Sequence, residues 1–397
     1  MLLRIFFYSL LIVCLQPVQA NEWSGYIANE IRYFTQEPLE TRQYDGFNLS
    51  IASQLEYYHE WENGYQSFTF VPFVRVDQHD SERSHIDIRE LTWLKAAKDW
   101  ELRVGIRKLF WGVTESQHLV DIINQSDSVE QPDGEDKLGQ PMINLALIRD
   151  WGTVDLFILP GFRERTFPAK DGRLLSGGIP IDTEQSRYES SAEEKHVDWA
   201  VRWSHTLGDW DIGLSHFSGT SRDPRLLPNL DSNNLVLVPY YEQIQQTGID
   251  IQITKEDMLW KFEAISRENQ DERFTAMTGG LEYTFIGISE SDADLGVLVE
   301  YSFDDRDERA TTPFENDVML GMRLALNDVQ STELLAGAIL SVENDARSYL
   351  LEASRRFGDS WKVSLEAYFY SNNAPVNDLM YGIRNEDFMQ LTLAWYF

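Results

Sequence analysis

Apolar and polar residues alternate along most of this chain with a period of two, in runs of about ten residues that end at turn-forming positions. One run places Leu295, Val297, Val299, Tyr301 and Phe303 against Gly296, Glu300 and Ser302. Another sets Val318, Leu320, Met322, Leu324 and Leu326 against Gly321, Arg323 and Ala325. A third sets Trp361, Val363, Leu365, Ala367 and Phe369 against Lys362, Ser364, Glu366 and Tyr368. Side chains on a strand point to opposite faces in turn, so each run predicts a β-strand with one greasy and one polar face. About 18 such strands are predicted, an even number of the kind single-chain bacterial barrels use. They fall at 23–34, 45–59, 64–78, 84–96, 100–109, 141–149, 153–163, 196–207, 209–219, 236–254, 258–268, 273–286, 293–303, 316–326, 331–343, 347–357, 360–371 and 386–397. A count of 16 stays open, because 236–254 is long and contains Pro239. That run reads as two elements or as a strand rising beyond the membrane.

The connections decide what the greasy faces meet. Short turns fall at Asn63-Gly64, Lys98-Asp99, Asp150-Trp151-Gly152, Leu207-Gly208-Asp209, Lys255-Glu256-Asp257, Asn327-Asp328 and Gly358-Asp359. Between them lie mostly longer, acidic segments at 35–44, 110–140, 164–195, 220–234, 304–315 and 372–385. A soluble sandwich has no reason to keep short and long connections on alternate rims. Outer-membrane barrels do, with turns in the periplasm and loops outside. The fold class expected is all-β: a transmembrane antiparallel up-and-down β-barrel with long external loops, its apolar face towards lipid. An even count brings both ends of the chain to the turn side and lets the first and last strands pair, removing free edges.

Composition refines this picture. Arg4, the apolar run 5–15 and Val18-Gln19-Ala20 have the charged start, short hydrophobic region and small-x-small site of a cleaved signal peptide at 1–20. The run is too short for a spanning helix, and no later stretch reaches the roughly 18 apolar residues one requires. Cys14, the single cysteine, falls within that segment, so no disulfide is expected in residues 21–397. No linker or low-complexity tract divides those residues, which read as one domain. A net charge of −31 argues against nucleic acid as a partner. The acids crowd into loop segments such as 77–82, 127–136, 189–194, 268–272 and 304–308, as solvated loops do. No metal or other cofactor is expected. Trp93, Trp100, Trp151, Trp210, Trp260 and Trp361 sit near strand ends, where interfacial girdles place them.

Enzymatic readings find little support. The histidines at 59, 79, 85, 118, 196, 205 and 216 lack zinc-site spacing, and no Gly-x-Ser-x-Gly nucleophile turn occurs. His216 and Ser218 share a face through strand parity alone.

Leu391, Leu393 and Trp395 alternate up to Phe397. This resembles the C-terminal aromatic signal by which outer-membrane barrels are recognised for assembly. The resemblance implies the barrel assembly machinery as a partner, with outer-membrane lipid and lipopolysaccharide around the exterior.

The most individual stretch follows the fifth strand. Thr114 and Gln117 have capping-box spacing, and Leu119, Ile122 and Ile123 fall on one helical face, so a short amphipathic helix is expected. An apolar helical face suits packing inside a barrel better than solvent. Trp111-Gly112 followed by Ile123-Asn124-Gln125-Ser126-Asp127, an Ile-Asn-x-x-Asp spacing, resembles porin-like outer-membrane families. In porins the third external loop folds inward and narrows the pore, so the resemblance implies that 110–140 forms a constriction. The expected constriction set is Trp111, Glu115, Asp121, Asn124 and Asp127 from the loop, facing Arg103 and Arg107, with Arg89, Arg149 and Arg202 beside them on the flanking strands. Polar rows on the far half carry Glu263, Glu282, Glu300, Glu352 and Glu366, an acidic wall opposite a basic one. Opposed walls set up a transverse field that orients dipolar solutes and favours one sign of ion. The alternative is that these residues pair with one another and fill the lumen.

The function expected is passive diffusion of small hydrophilic solutes or ions. A non-conducting barrel that binds a ligand or partner through its external loops is the second reading, and an apolar-solute transporter the third. A homotrimer is compatible with an apolar exterior.

Overall fold

The computed structural model describes residues 21–397 apart from 232–233, 307–308, 311, 313, 372 and 377–378. The signal peptide expected at 1–20 lies outside the described residues.

Eighteen antiparallel strands form one closed sheet. In chain order they are β1 (Asn21–Phe34), β2 (Phe47–Trp61), β3 (Gln66–Asp77), β4 (Ile86–Ala96), β5 (Trp100–Arg107), β6 (Gln140–Arg149), β7 (Gly152–Pro160), β9 (Val197–Leu207), β10 (Trp210–Thr220), β13 (Gln243–Lys255), β14 (Met258–Glu268), β15 (Arg273–Phe285), β16 (Asp294–Asp304), β17 (Asn316–Ala325), β18 (Glu333–Ser341), β19 (Arg347–Phe357), β20 (Trp361–Tyr370) and β21 (Phe388–Tyr396). Each barrel strand pairs with the next along the chain, and β21 returns to β1 with Ile27 opposite Trp395 and Ile31 opposite Leu391. Closure leaves no edge strand, which lets every strand satisfy its backbone in lipid. Three further strands, β8 (Arg187–Tyr188), β11 (Arg225–Asp231) and β12 (Asn234–Tyr241), make a small separate sheet in the loops.

The predicted strand 236–254 is therefore two elements: β12 of the external hairpin, containing Pro239, and barrel strand β13. Gln243 opens β13 opposite Thr220, so the hairpin is an insertion on the loop rim and the barrel count is 18.

Alternation decides the two faces. On β1, Ile27, Ile31 and Tyr33 are exposed, whereas Ala28, Glu30, Arg32 and Phe34 are buried. Leu49 and Ile51 of β2, Val297 and Val299 of β16, and Leu391, Leu393, Trp395 and Phe397 at the chain's end are exposed in the same way. An apolar exterior over a polar interior is the inverse of a soluble sheet and the arrangement a bilayer requires. Trp151, Trp210, Trp260 and Trp361 lie exposed near the turn rim. In the first turn, Glu62, Asn63 and Gly64 all take positive φ (54°, 57° and 83°), a geometry glycine and asparagine tolerate. The nine connections on the opposite rim include the long segments 108–139 and 161–196.

Candidate functional site

Segment 108–139, the third external loop, leaves β5 and runs across the interior of the barrel before entering β6. Its contacts show the path. Glu263 on β14 is fully buried: its Oε1 accepts from the Val113 N–H (2.7 Å), the Thr114 N–H (3.0 Å) and the Thr114 hydroxyl (2.8 Å), and its Oε2 accepts from the Val120 N–H (3.2 Å). Glu300 on β16 accepts from the Glu115 N–H (2.8 Å), the Ser116 N–H (2.8 Å) and the Ser116 hydroxyl (2.8 Å). Glu115 then reaches Arg323 on β17 (2.8 Å) and Lys261 on β14 (3.4 Å). β17 stands nine strands round an 18-strand wall from β5, so the loop spans the barrel from side to side.

The helix expected here does not form. The described backbone from 108 to 125 is irregular, because its N–H groups turn outward to wall carboxylates instead of back to carbonyls four residues earlier. The Thr114 hydroxyl, with one proton for two acceptors, lies between Glu263 and the Gln117 carbonyl (2.6 Å), and the Gln117 amide goes to Thr278 (2.7 Å), so the capping box is not made. The apolar residues still pack inward. Val120, Ile122, Ile123 and Trp111 join Phe157, Leu159, Ala200, Phe217, Ile244, Ile265 and Phe274 in one core between loop and wall. That core lies against the loop-side halves of β6 to β15. Burying these side chains is worth on the order of 2 kcal/mol each.

Asn124 fixes the loop's return. Its Oδ1 accepts from the Leu109 N–H (2.9 Å), and its amide donates to the Arg107 and Leu138 carbonyls (2.8 Å each). Asp121 accepts from the Trp111 N–H (3.3 Å) and lies 3.2 Å from the Lys137 ammonium. Burial, opposed by Lys137, holds the Asp121 carboxyl above its usual range. Asp127 is fully buried and joins Arg89 (2.6 Å) to the Thr166 hydroxyl (2.7 Å). Beyond it, Arg75 bridges Glu130 of the loop (2.6 Å) to Glu30 of β1 (3.1 Å), and Arg83 also reaches Glu30 (2.7 Å). Charges this deeply buried must be paired, and removing one partner leaves the other uncompensated. Sequence reasoning missed this cluster of Glu30, Arg32, Arg75, Arg83 and Glu130. Its signal was there: parity places Glu30 and Arg32 on the inward row of β1 and Arg75 on that of β3.

At the loop's apex, His118 bonds Glu135 (2.6 Å) and lies 4.0 Å from Glu263. Burial disfavours a charged His118 imidazole, but the two carboxylates outweigh it and raise its pKa. The His118 bond in turn lowers that of Glu135. Burial pushes the Asp136 carboxyl up to about 6, with Glu130 and Asp133 adding to the effect.

The two charged walls expected from parity are largely neutralised locally. Arg103 pairs with Glu101, and Arg107 donates to Asn144 (3.2 Å), which donates to Asp155 (3.0 Å). Arg202 binds Asp250 at two points (2.7 Å each) and stacks 5.0 Å over the Trp111 ring. Arg149 sits exposed at the turn rim against the Asp99 carbonyl (2.6 Å). Of the acidic row, Glu263 and Glu300 do not face water, since loop backbone covers both. Glu282 lies 3.8 Å from both Lys261 and Arg323. Glu352 and Glu366 remain partly exposed, and Glu366 accepts from the Gln131 amide of the loop and from Gln390 (3.0 Å).

No protein-family model matches this sequence, and no curated protein matches it. Solved structures match its fold. OccAB3 of Acinetobacter baumannii superposes with a TM-score of 0.54 at 10% identity, covering 95% of this chain and 99% of that one. OccK11 (OpdR) of Pseudomonas aeruginosa gives 0.53 at 9% identity, covering 95% of each. Wzi of Escherichia coli, an outer-membrane protein involved in group 1 capsule assembly and described as a carbohydrate-binding β-barrel, gives 0.54 at 8% identity, covering 93% of this chain and 83% of that one. At such identities the likeness is one of fold: an outer-membrane β-barrel.

Proposed function

We propose that this protein is an outer-membrane channel for passive diffusion of small hydrophilic solutes or ions, with the third loop as its constriction. The observation that carries this reading is the loop's course through the lumen, pinned at Glu263, Glu300 and Arg323 on one side and at Arg75 and Arg89 on the other. A barrel of 18 strands is wide enough for an aqueous passage, and a pinned internal loop reduces its bore without unfolding the wall. Trp111, Asp121, Asn124 and Asp127 act here by holding the loop in place, while Arg103 and Arg107 line the vestibule on the turn side beneath it. Liposome swelling tests the reading: vesicles containing the purified protein take up small sugars and amino acids faster than empty ones, and uptake falls with solute size. Vesicles that carry correctly folded barrel yet swell no faster than empty ones would overturn it.

A second reading has its own support. The external sheet of β8, β11 and β12 adjoins a recess of about 370 Å³ whose lining includes Arg225, Glu242, Arg267 and Arg306. A charged recess at the loop rim suits a barrel that binds a polar ligand through its loops. Absence of swelling together with ligand binding that is lost on deleting 225–241 would favour this reading over the channel.

A further inference from the structure

The interior is not filled evenly. On β7, β9, β10 and β13 to β15, inward positions in the loop-side half are buried under the apolar core, with Leu159 at 0%, Phe217 at 1% and Ala200 at 2% exposure. On β1 to β3 the same level is closed by the Glu30–Arg75–Arg83–Glu130 ion cluster. By contrast, every residue of β18 and β19 is partly or fully exposed over the whole length of both strands. β5 is open too, but it ends where the loop begins, so its open face belongs to the vestibule below.

The open side carries unbalanced charge at the level of the loop. Glu352 of β19 stands directly opposite Glu366 of β20. Like charges in that position destabilise a sheet unless something offsets them. Asp133 approaches from the loop, and the single hydroxyl proton of Tyr368 lies between two carboxylates, 2.9 Å from Asp133 and 3.4 Å from Glu352. It can be donated to only one of them at a time. Arg323, nearby, is already engaged by Glu115.

Resting on the channel reading above, we infer that the passage is eccentric, running between the third loop and the inner face of β18–β19, and that Glu352, Glu366 and Asp133 make it prefer cations. The apolar core seals the opposite half, so solute has one route past the loop. A cationic group there supplies the counter-charge that the paired glutamates lack.

Single-cysteine variants test the route without interference, because Cys14 falls in the expected signal segment and no other cysteine exists. Ser354 faces inward on the open side next to Glu352, whereas Ser215 faces inward on β10 and is 7% exposed. In planar bilayers, a trimethylammonium-bearing methanethiosulfonate lowers the conductance of the Ser354→Cys channel and leaves the Ser215→Cys channel unchanged. In a salt gradient the wild-type reversal potential reports potassium over chloride, and Glu352→Gln lowers that permeability ratio roughly threefold. Block at Ser215→Cys without block at Ser354→Cys, or a wild-type channel that favours chloride, overturns the inference while leaving the channel reading intact. Absence of any conductance in all of these proteins sinks the channel reading instead.

Discussion

Glu263→Gln isolates the strongest point at which the wall holds the third loop. In the native protein one carboxylate oxygen accepts three bonds, at 2.7, 2.8 and 3.0 Å, and the other accepts the Val120 N–H at 3.2 Å. The amide keeps one acceptor of nearly the same shape, so no cavity opens. Three charge-assisted bonds become neutral ones, at about 1 kcal/mol each, and the Val120 N–H then faces an NH₂ group, leaving a buried donor unpaired for about 1 kcal/mol more. The seat of the loop is weakened by about 4 kcal/mol, close to a thousandfold in its local opening equilibrium. Amide hydrogen exchange on the barrel in detergent micelles reads this directly. Amides of Val113, Thr114 and Val120 lose most of their protection, while those of β14 keep theirs because the strand ladders are untouched. Equal protection of those three amides in wild type and variant would refute the reasoning, since the loop would then be held by its apolar core alone.

Two further outcomes follow from the same geometry. Gly105 has φ 141°, and a Cβ there would stand 1.9 Å from the Leu91 carbonyl oxygen, whereas Gly208 has φ 62° with nothing within 4 Å of a Cβ. Gly105→Ala is expected to abolish the heat-modifiable folded band on gels, and Gly208→Ala to cost only about 1 kcal/mol in a denaturant melt; similar melts for the two would contradict the clash. Asp136 rises from an ordinary 3.8 to about 6 in the folded loop. A carboxyl raised in this way favours the folded loop fully below pH 3.8, and that contribution is lost as pH rises through about 6. NMR titration of its carboxyl is therefore expected to show a midpoint near 6, and Asp136→Asn to remove the matching fall in loop protection; a midpoint at the ordinary carboxylate value would show that the group is wet.

The barrel was legible in the sequence because its two signals are local and repeated. Alternation in runs such as 295–303 marks each strand, and turns such as Asn63-Gly64 and Gly358-Asp359 mark one rim. The run 236–254, read as two elements or one long strand, is two: Pro239 sits in the external strand β12, and only Glu242 separates it from barrel strand β13. The third loop was legible in position and in its apolar residues but not in conformation. The spacing of Thr114, Gln117, Leu119 and Ile122 fits a helix, and only the tertiary partners Glu263 and Glu300, about 150 to 185 residues away, draw the backbone out of it. Parity puts Arg103, Arg107, Glu263 and Glu300 on inward rows, whereas Arg149 stands exposed at the turn rim. It could not show that Glu263 and Glu300 would be covered by backbone, or that Arg89 and Arg103 would find carboxylates nearby, because pairing depends on which loop crosses at which height.

Single-channel recording on the purified protein in planar bilayers tests the central claim most directly. Stepwise, discrete conductance increments are expected as barrels insert, with Glu263→Gln broadening or enlarging them as the loop loosens. Barrels shown by heat modifiability to be folded and inserted, yet silent at every applied voltage, would contradict the claim that this lumen is a passage.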